Sequence, residues 1–413
     1  VNVLERAQSP GGRMAEAHDL GLDYLTGARL IYSFSKSVMG LIRELDLTDQ
    51  LCHGLTIPVS TCSLMGEHPV QMSPGPQLIF NSPLSGGQRW RLLQLALWLA
   101  ARRFSVNPDR LLDWHDYDEG SLYEFFNQRS LGQVSKIYIE PIFRGARGWR
   151  MTDVSPVFFL STAAHMHGAS AYTFDDGIGA LTERLAQSLD VTYCADVKNV
   201  TRTVSGGCEL SYELKGLLYS ACADLVICAV PGPLSARIVS EPTIEEAQFF
   251  KSVKYSSGYI VHFGINRSVE PYVRFLSRDV NTSIAAVEVV DQSRTASSYL
   301  SRISVYLSPE MVIDLKNKPV VDGELPSIWN DLPDDVARHL EPGYGHVVQQ
   351  RIQNMLPLFY PGYLKELSAF ERYQTNSRKQ IYYAGDYLSH GLLGGACRSG
   401  EDIAQAVISN WSG

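Results

Sequence analysis

The sequence predicts an α/β fold. One part is a doubly wound parallel sheet, assembled from separated stretches of chain and missing its first strand and helix. The other is a second domain of mixed sheet and helices. Two stretches carry this prediction. Residues 381–411 read IYYAGDYLSHGLLGGACRSGEDIAQAVISNW. The apolar run Ile381-Tyr382-Tyr383-Ala384 behaves as a short buried strand, ends at Gly385-Asp386, passes through a glycine-rich loop and enters a helix at Ser399-Gly400. Glycines let a ligand approach the backbone, and free N–H groups at a helix start face electron-rich atoms, so this is a place for a phosphate-rich cofactor. At the other end, Val1-Asn2-Val3-Leu4 is a strand-like run closing on Glu5, and Gly11-Gly12-Arg13 follows after five intervening residues. In dinucleotide folds an acid at the end of the second parallel strand hydrogen-bonds the adenosine ribose.

Together these stretches resemble the flavin amine oxidase and protoporphyrinogen oxidase superfamily. Its members carry a similar AGD…GA…SG…A run near the C-terminus and a GGR turn after the ribose-binding acid. The resemblance implies FAD held in a Rossmann-like domain. It implies Glu5 on the ribose hydroxyls, and Gly12 and Arg13 beside the diphosphate, where a guanidinium matches phosphate geometry. Asp23-Tyr24-Leu25-Thr26-Gly27-Ala28 is similar to the family's approach to the flavin ring, which implicates Gly27 and Ala28. Gly385 and Asp386 would meet the ribityl chain or the diphosphate. Gly395, Ala396 and Cys397 would offer backbone N–H groups to the pyrimidine edge, stabilising negative charge on the reduced ring. Structural alternatives stand beside these roles: a solvated strand end for Glu5, a surface cation for Arg13, a turn cap for Asp386 and a packing residue for Cys397.

The family's middle return to the cofactor domain is matched by three pieces. Residues 172–189 read as a glycine-bearing turn and a helix, 191–203 as one alternating strand, and 223–231 as a buried strand ended by Pro231. Val197 falls at the position beside adenine. The cofactor domain therefore takes residues 1–51, 172–239 and 376–413, and the substrate domain takes 52–171 and 240–375. What the sequence does not contain is the GxGxxG turn, which belongs about 30 residues before the ribose-binding acid. Leaving out a central strand exposes two edges of unpaired backbone groups. Three explanations stand open: a longer polypeptide, a βα unit supplied by a companion chain or a rearranged element, or loss of the dinucleotide. In the last case the protein is a flavin-free cyclase or isomerase, or a non-catalytic binding partner.

Other elements follow from periodicity. Residues 33–51 place Phe34, Val38, Leu41, Ile42 and Leu45 at helical spacing. Residues 54–83, rich in Pro, Gly and Ser, read as short strands and loops. Residues 89–104, RWRLLQLALWLAARRF, are apolar almost all round and bracketed by arginines. They form either a buried helix of the substrate domain or a contact with membrane or a lipid-like substrate, being too short to span a bilayer. Helices are expected at 108–113 and 121–128, strands at 255–263 and 282–289, and a largely helical segment at 333–354 with a break near Pro342-Gly343.

The chain has 413 residues, 45% hydrophobic and 19% charged, a balance suited to a two-domain globular enzyme. A net charge of -8 argues against nucleic acid as a partner, since phosphate backbones need a basic face. Seven cysteines without a CxxC pair suggest neither zinc nor a disulfide framework, and no signal peptide is visible at Val1, so a cytoplasmic, optionally membrane-associated protein with reduced thiols is expected. No acid–base constellation assigns a catalytic residue. His165 and His167 point to opposite faces if extended, which disfavours a metal pair, and His390 lies where it could approach the flavin. Family amine oxidases place a lysine near the flavin on a strand resembling GYIVHF, residues 258–263, which has none. They also carry an aromatic cage, of which GDYLSHGLLGGA offers only Tyr387. The resemblance therefore implies FAD-dependent oxidation or desaturation of a hydrophobic small molecule, as in protoporphyrinogen oxidases, carotenoid desaturases and tailoring oxidases of secondary metabolism.

Overall fold

Among the described residues the strands form six sheets, two of them short parallel pairs. In a computed structural model, all residues are described except 55, 72–78, 81–82, 294, 317–327, 342 and 412–413. Part of the expected loop region 54–83 and the expected break at Pro342 thus lie outside the described residues. Strand Asn2–Leu4 pairs in parallel with Asp190–Thr192, and Val226–Cys228 pairs in parallel with Ile381–Tyr383. Among the described residues these two pairs are separate sheets. Helices Lys36–Glu44 and Leu393–Trp411 pack together near them, and Ser37 Oγ donates to Glu401 at 2.8 Å.

The largest sheet has seven strands in the order Val347–Ile352, Gly258–Ile265, Ser301–Leu307, Ile284–Asp291, Tyr272–Leu276, Val59–Ser63, Gly66–Pro69. Its pairs are antiparallel except Tyr272–Leu276 with Val59–Ser63. Side chains alternate between faces along a strand, and the division here is chemical. Val261, Phe263, Val287, Val289, Ile303 and Val305 join one apolar core with Val312 and Val336 from the covering helices Pro309–Lys316 and Asp334–Leu340. The opposite face presents His262, Glu288, Arg302, Ser304 and Tyr306. A second core, rich in aromatic side chains such as Trp114, Trp149, Phe158, Phe359 and Tyr387, lies among the helices and under the C-terminal strand.

Several expectations are corrected. The helix after Asp386 begins at Leu393, six residues before the expected entry at Ser399, so Gly394 and Gly395 lie in its first turn rather than in a loop. Residues 191–203 are not one strand: Cys194 at φ 59° turns the chain between Asp190–Thr192 and Ala195–Arg202, letting the first strand lie parallel to Asn2–Leu4. The segment 333–354 is helical only at Asp334–Leu340. Its second half, Val347–Ile352, hydrogen-bonds to Gly258–Ile265 as an edge strand, because sheet pairing outweighs a mixed local propensity. The helix expected at 108–113 is a 3-10 segment at Leu111–Tyr117. Helix Gly86–Arg102 buries only Leu95 and Leu99, so it is not a wholly buried helix. No helix among the described residues is long and apolar enough to cross a membrane.

Candidate cofactor site and the polar face opposite it

Glu5 and Asp386 both stand just past the C-terminal ends of parallel strands, Asn2–Leu4 and Ile381–Tyr383. Glu5 is half-buried, and its Oε1 accepts the Ala7 N–H at 2.7 Å. Its own backbone runs beside the middle block, since Glu5 N–H donates to Thr192 O at 3.0 Å and Ala195 N–H donates to Glu5 O at 2.8 Å. That contact brings the strand of Val197 alongside Glu5. Val197 itself faces Tyr212 across an antiparallel pair, at a bulge, and packs on the aromatic core.

The GGR turn is bound to the flavin-approach segment by backbone contacts. Ala28 N–H donates to Arg13 O at 2.7 Å and Thr26 Oγ1 to Gly12 O at 2.7 Å. A side chain at Gly27 would meet Arg13 O at 2.7 Å, so this glycine permits the close approach of two backbones. Gly12 has φ +52°, and the space a Cβ would take there is open. Arg13 reaches across to the other block: its Nη1 donates to Asp386 Oδ2 at 2.7 Å and to Met355 O at 2.9 Å. Burial opposes its charge, but Asp386 and Tyr255 together outweigh burial and raise the Arg13 pKa. Asp386 is buried, and its Oδ1 also accepts from Tyr255 Oη at 2.8 Å and Tyr387 N–H at 3.0 Å. Two residues expected to contact the cofactor therefore hold each other. Gly385 N–H donates to Ser399 Oγ at 3.0 Å, joining strand end and helix.

The start of the C-terminal helix corrects one expected donor set. Gly395 and Ala396 N–H groups both donate to Leu392 O, at 3.0 and 3.3 Å, because the helix starts before them and takes up their hydrogen bonds. Cys397 packs beside helix Lys36–Glu44. Burial first, then Glu401 and Asp109, push its thiol up to about 12, which keeps it protonated. His390 is fully buried against Phe158, with ring centroids 4.8 Å apart. Its Nε2 has no hydrogen-bond partner, and burial together with Arg147 and His165 pushes its pKa down to about 3. His165 is bonded to Ser161 O on its own helix, and no group of side chains able to hold a metal occurs among the described residues.

The polar face of the seven-stranded sheet meets this region. Glu288 is clamped by Arg29, by Arg302 Nη2 at 3.2 Å and by Tyr306 Oη at 3.1 Å; Arg29 also donates to Tyr306. Burial alone would raise the Glu288 carboxyl, but the two guanidiniums hold it below its ordinary value. His262 is stacked on Tyr24 at 4.7 Å, with Nδ1 2.8 Å from Ser304 Oγ and Nε2 3.2 Å from Gln350 Oε1. Gln350 Nε2 donates to Leu25 O at 3.1 Å, which leaves its oxygen to accept, so the His262 proton sits on Nε2 and Ser304 donates to Nδ1. Burial and Arg302 push the His262 pKa down to about 3. Arg302 and Gln292 both donate to Asp23 O. The flavin-approach segment is thus bound along the polar face of this sheet. Sequence reasoning missed Arg29, Glu288, Arg302 and Tyr306. A signal was available: a carboxylate between Val287 and Val289, in a strand otherwise buried, marks a paired charge.

The comparisons agree with this architecture. Residues 1–408 match the family described as "Flavin containing amine oxidoreductase". No curated protein sequence matches the chain. Among solved structures, it is similar to a CLA-producing fatty acid isomerase from P. acnes (15% identity, TM-score 0.65, covering 98% of this chain and 92% of that one). It is also similar to putrescine oxidase bound to putrescine (15%, 0.68, 99% and 93%) and to cyclohexylamine oxidase from Brevibacterium oxydans (14%, 0.67, 100% and 94%). At these identities the likeness shows the fold. The family match extends over nearly the whole chain, and the chain belongs to the flavin-containing amine oxidoreductase family: it is an FAD-dependent oxidoreductase.

Proposed function

We propose that this oxidoreductase oxidises or desaturates a hydrophobic small molecule rather than a simple amine, with FAD held between the parallel strands and the polar face of the seven-stranded sheet. The cofactor-binding part comprises residues 1–51, 172–239 and 376–413, and the substrate part comprises 52–171 and 240–375. The residues fit the cofactor. Glu5 stands at a strand end with one carboxylate oxygen already oriented by Ala7 N–H, and the other would accept from the ribose hydroxyls. Gly12 leaves open space beside the Arg13 cation for a diphosphate. Asp386 orients Arg13 and carries the ribityl side, and Val197 covers the adenine. Gly27, Ala28, Gly385, Gly395, Ala396 and Cys397 shape the backbone around the ring, with Gly395 and Ala396 acting through the helix start rather than as free donors. A companion chain bearing a GxGxxG turn, if one binds, would dock beside Asn2–Leu4.

One observation carries the substrate reading. On the strand that resembles the lysine-bearing strand of family amine oxidases, the polar residue is His262. It is buried, neutral and bonded through both ring nitrogens. Such a group neither donates nor accepts a substrate proton at neutral pH. Bound FAD supplies hydride acceptance; the protein positions the reacting C–H or N–H bond and excludes water, without a dedicated base. This fits the tailoring of a secondary metabolite. The test is anaerobic mixing of the FAD-loaded protein with putrescine, cyclohexylamine and a panel of lipophilic cyclic and polyene compounds, read as loss of oxidised-flavin absorbance. Bleaching by a lipophilic compound and none by the two amines is expected. Rapid bleaching by either amine overturns the reading.

A further inference from the structure

We propose that the outward face of helix Gly86–Arg102 docks on an anionic phospholipid bilayer. The helix buries Leu95 and Leu99 on its inner side. Seven residues make close to two helical turns, so Trp90 and Leu97 share one face, and Phe104, just past the helix end, continues the line. That face points away from the protein: Trp90 is 60% exposed, Leu97 62% and Phe104 86%. Gln94, Ala100 and Ala101 on the same side are also exposed, and Leu93 partly so. Three large apolar side chains in a row facing water are costly in a protein that keeps them there for nothing, and such a patch marks a contact surface.

Two features choose a lipid surface as the occupant. Charge is the first. Residues 83–108 contain Arg89, Arg91, Arg102 and Arg103 and no Asp or Glu, within a chain of net charge -8. On a helical projection Arg91 flanks the stripe on one side, Arg89 and Arg103 on the other, while Arg102 turns inward over Trp114. An apolar stripe flanked by arginines is the pattern of a helix lying in the headgroup layer, its stripe in the acyl boundary and its cations on anionic phosphates. Continuity is the second. Gln133 Nε2 bonds both Met65 Sδ at 3.1 Å and Pro83 O at 3.0 Å, which ties a hairpin tip to the helix start. That tip adds Leu64, 75% exposed, and Met65 to the same end. No helix among the described residues can cross a membrane, so the contact is interfacial. A lipophilic substrate would reach the enzyme from the same phase, but the docking does not depend on that reading.

The test uses the full chain and sedimentation with vesicles of phosphatidylcholine alone or mixed with phosphatidylglycerol. The expected result is partition into the mixed vesicles at least about tenfold stronger than into phosphatidylcholine, and weaker at high salt. L97S/F104S should lower that partition about tenfold or more, and R91Q about fivefold, both with unchanged near-ultraviolet circular dichroism and FAD binding. Failure of the folded wild-type chain to sediment with mixed vesicles overturns the proposal. So does a variant that partitions equally well. A dimer in sedimentation velocity that L97S/F104S dissolves, without vesicle binding, would assign the face to a second copy of the chain instead.

Discussion

The seven-stranded sheet and the parallel strands are built in opposite ways. In the large sheet, four of the strands follow one another within residues 258–307. Every interior strand has two partners, and each face has its own packing: an apolar core on one side, the Glu288 cluster on the other. The parallel strands come from residues 2–4, 190–192, 226–228 and 381–383 and, among the described residues, are joined two by two. Nearby, the N- and C-terminal blocks are joined by apolar packing of helices Lys36–Glu44 and Leu393–Trp411 and by polar contacts, among them Arg13 with Asp386. The large sheet is therefore braced by consecutive partners, whereas the parallel pairs rest on the helices and apolar cores beside them, where a bound ligand would add stability.

Glu288→Ala should break the stronger side most. It leaves two guanidiniums facing each other without their carboxylate, and loss of one partner from a buried ion cluster costs about 3–5 kcal/mol. Urea unfolding followed by tryptophan fluorescence checks this; a loss below about 1 kcal/mol would mean that water already screens the cluster. On the cofactor side, Asp386→Asn should change global stability less and FAD affinity more. It weakens binding by about 1.5–3 kcal/mol, as expected for one charge-assisted contact, because Arg13 loses its orientation. Isothermal titration with FAD measures it, and an affinity equal to the wild type would detach Asp386 from the cofactor.

Acid probes both regions together. His262 and His390 have folded-state values near 3, below the ordinary 6.5. A depressed folded value means that the unfolded chain binds the proton more readily. The stability these histidines confer is complete above about pH 6.5 and is lost as pH falls toward 3, at up to about 1.4 kcal/mol per pH unit for each. At pH 5 that is about 2 kcal/mol apiece. Thermal unfolding of H262Q between pH 7 and pH 5 should show a shallower decline than the wild type; parallel curves would contradict a neutral buried His262. The smallest effect belongs to neither region. Ser121 caps helix Leu122–Gln128 through Glu124 N–H at 3.2 Å, with Glu124 returning a bond to Ser121 N–H at 2.8 Å. Ser121→Ala should cost about 1 kcal/mol by thermal melt.

Much of the cofactor side was legible in sequence because its signals are local. An apolar triplet ending in Gly385-Asp386 specifies a strand end, and Val1–Glu5 does the same at the other terminus. The helix start at Leu393 was not legible. Two adjacent glycines read as loop, yet Gly394 lies within the helix at a crossing where a Cβ would strike Ser35 Oγ and Asp109; a packing requirement from distant residues is not written in the local pattern. The same limit hid the strand Val347–Ile352, which exists because Gly258–Ile265 offers it an edge. The Glu288 cluster was hidden for another reason. Arg29, Glu288, Arg302 and Tyr306 become neighbours only when two strands and the segment around Arg29 are assembled, although the alternation Val287-Glu288-Val289 marked one of them.

The central claim is that FAD belongs to the parallel strands and completes their stability. Hydrogen exchange by mass spectrometry, with and without saturating FAD, tests it most directly. The measurement is made on this chain alone and on a form extended upstream or co-expressed with a small GxGxxG protein. FAD should bind more tightly in any form to which a glycine turn adds charge-assisted diphosphate contacts, worth about 1.5–3 kcal/mol each. Protection should then rise at Asn2–Leu4 and Ile381–Tyr383 while Gly258–Ile265 and Ser301–Leu307 stay as they were. FAD binding that leaves the parallel strands unprotected, or no FAD binding in any of these forms, would contradict it.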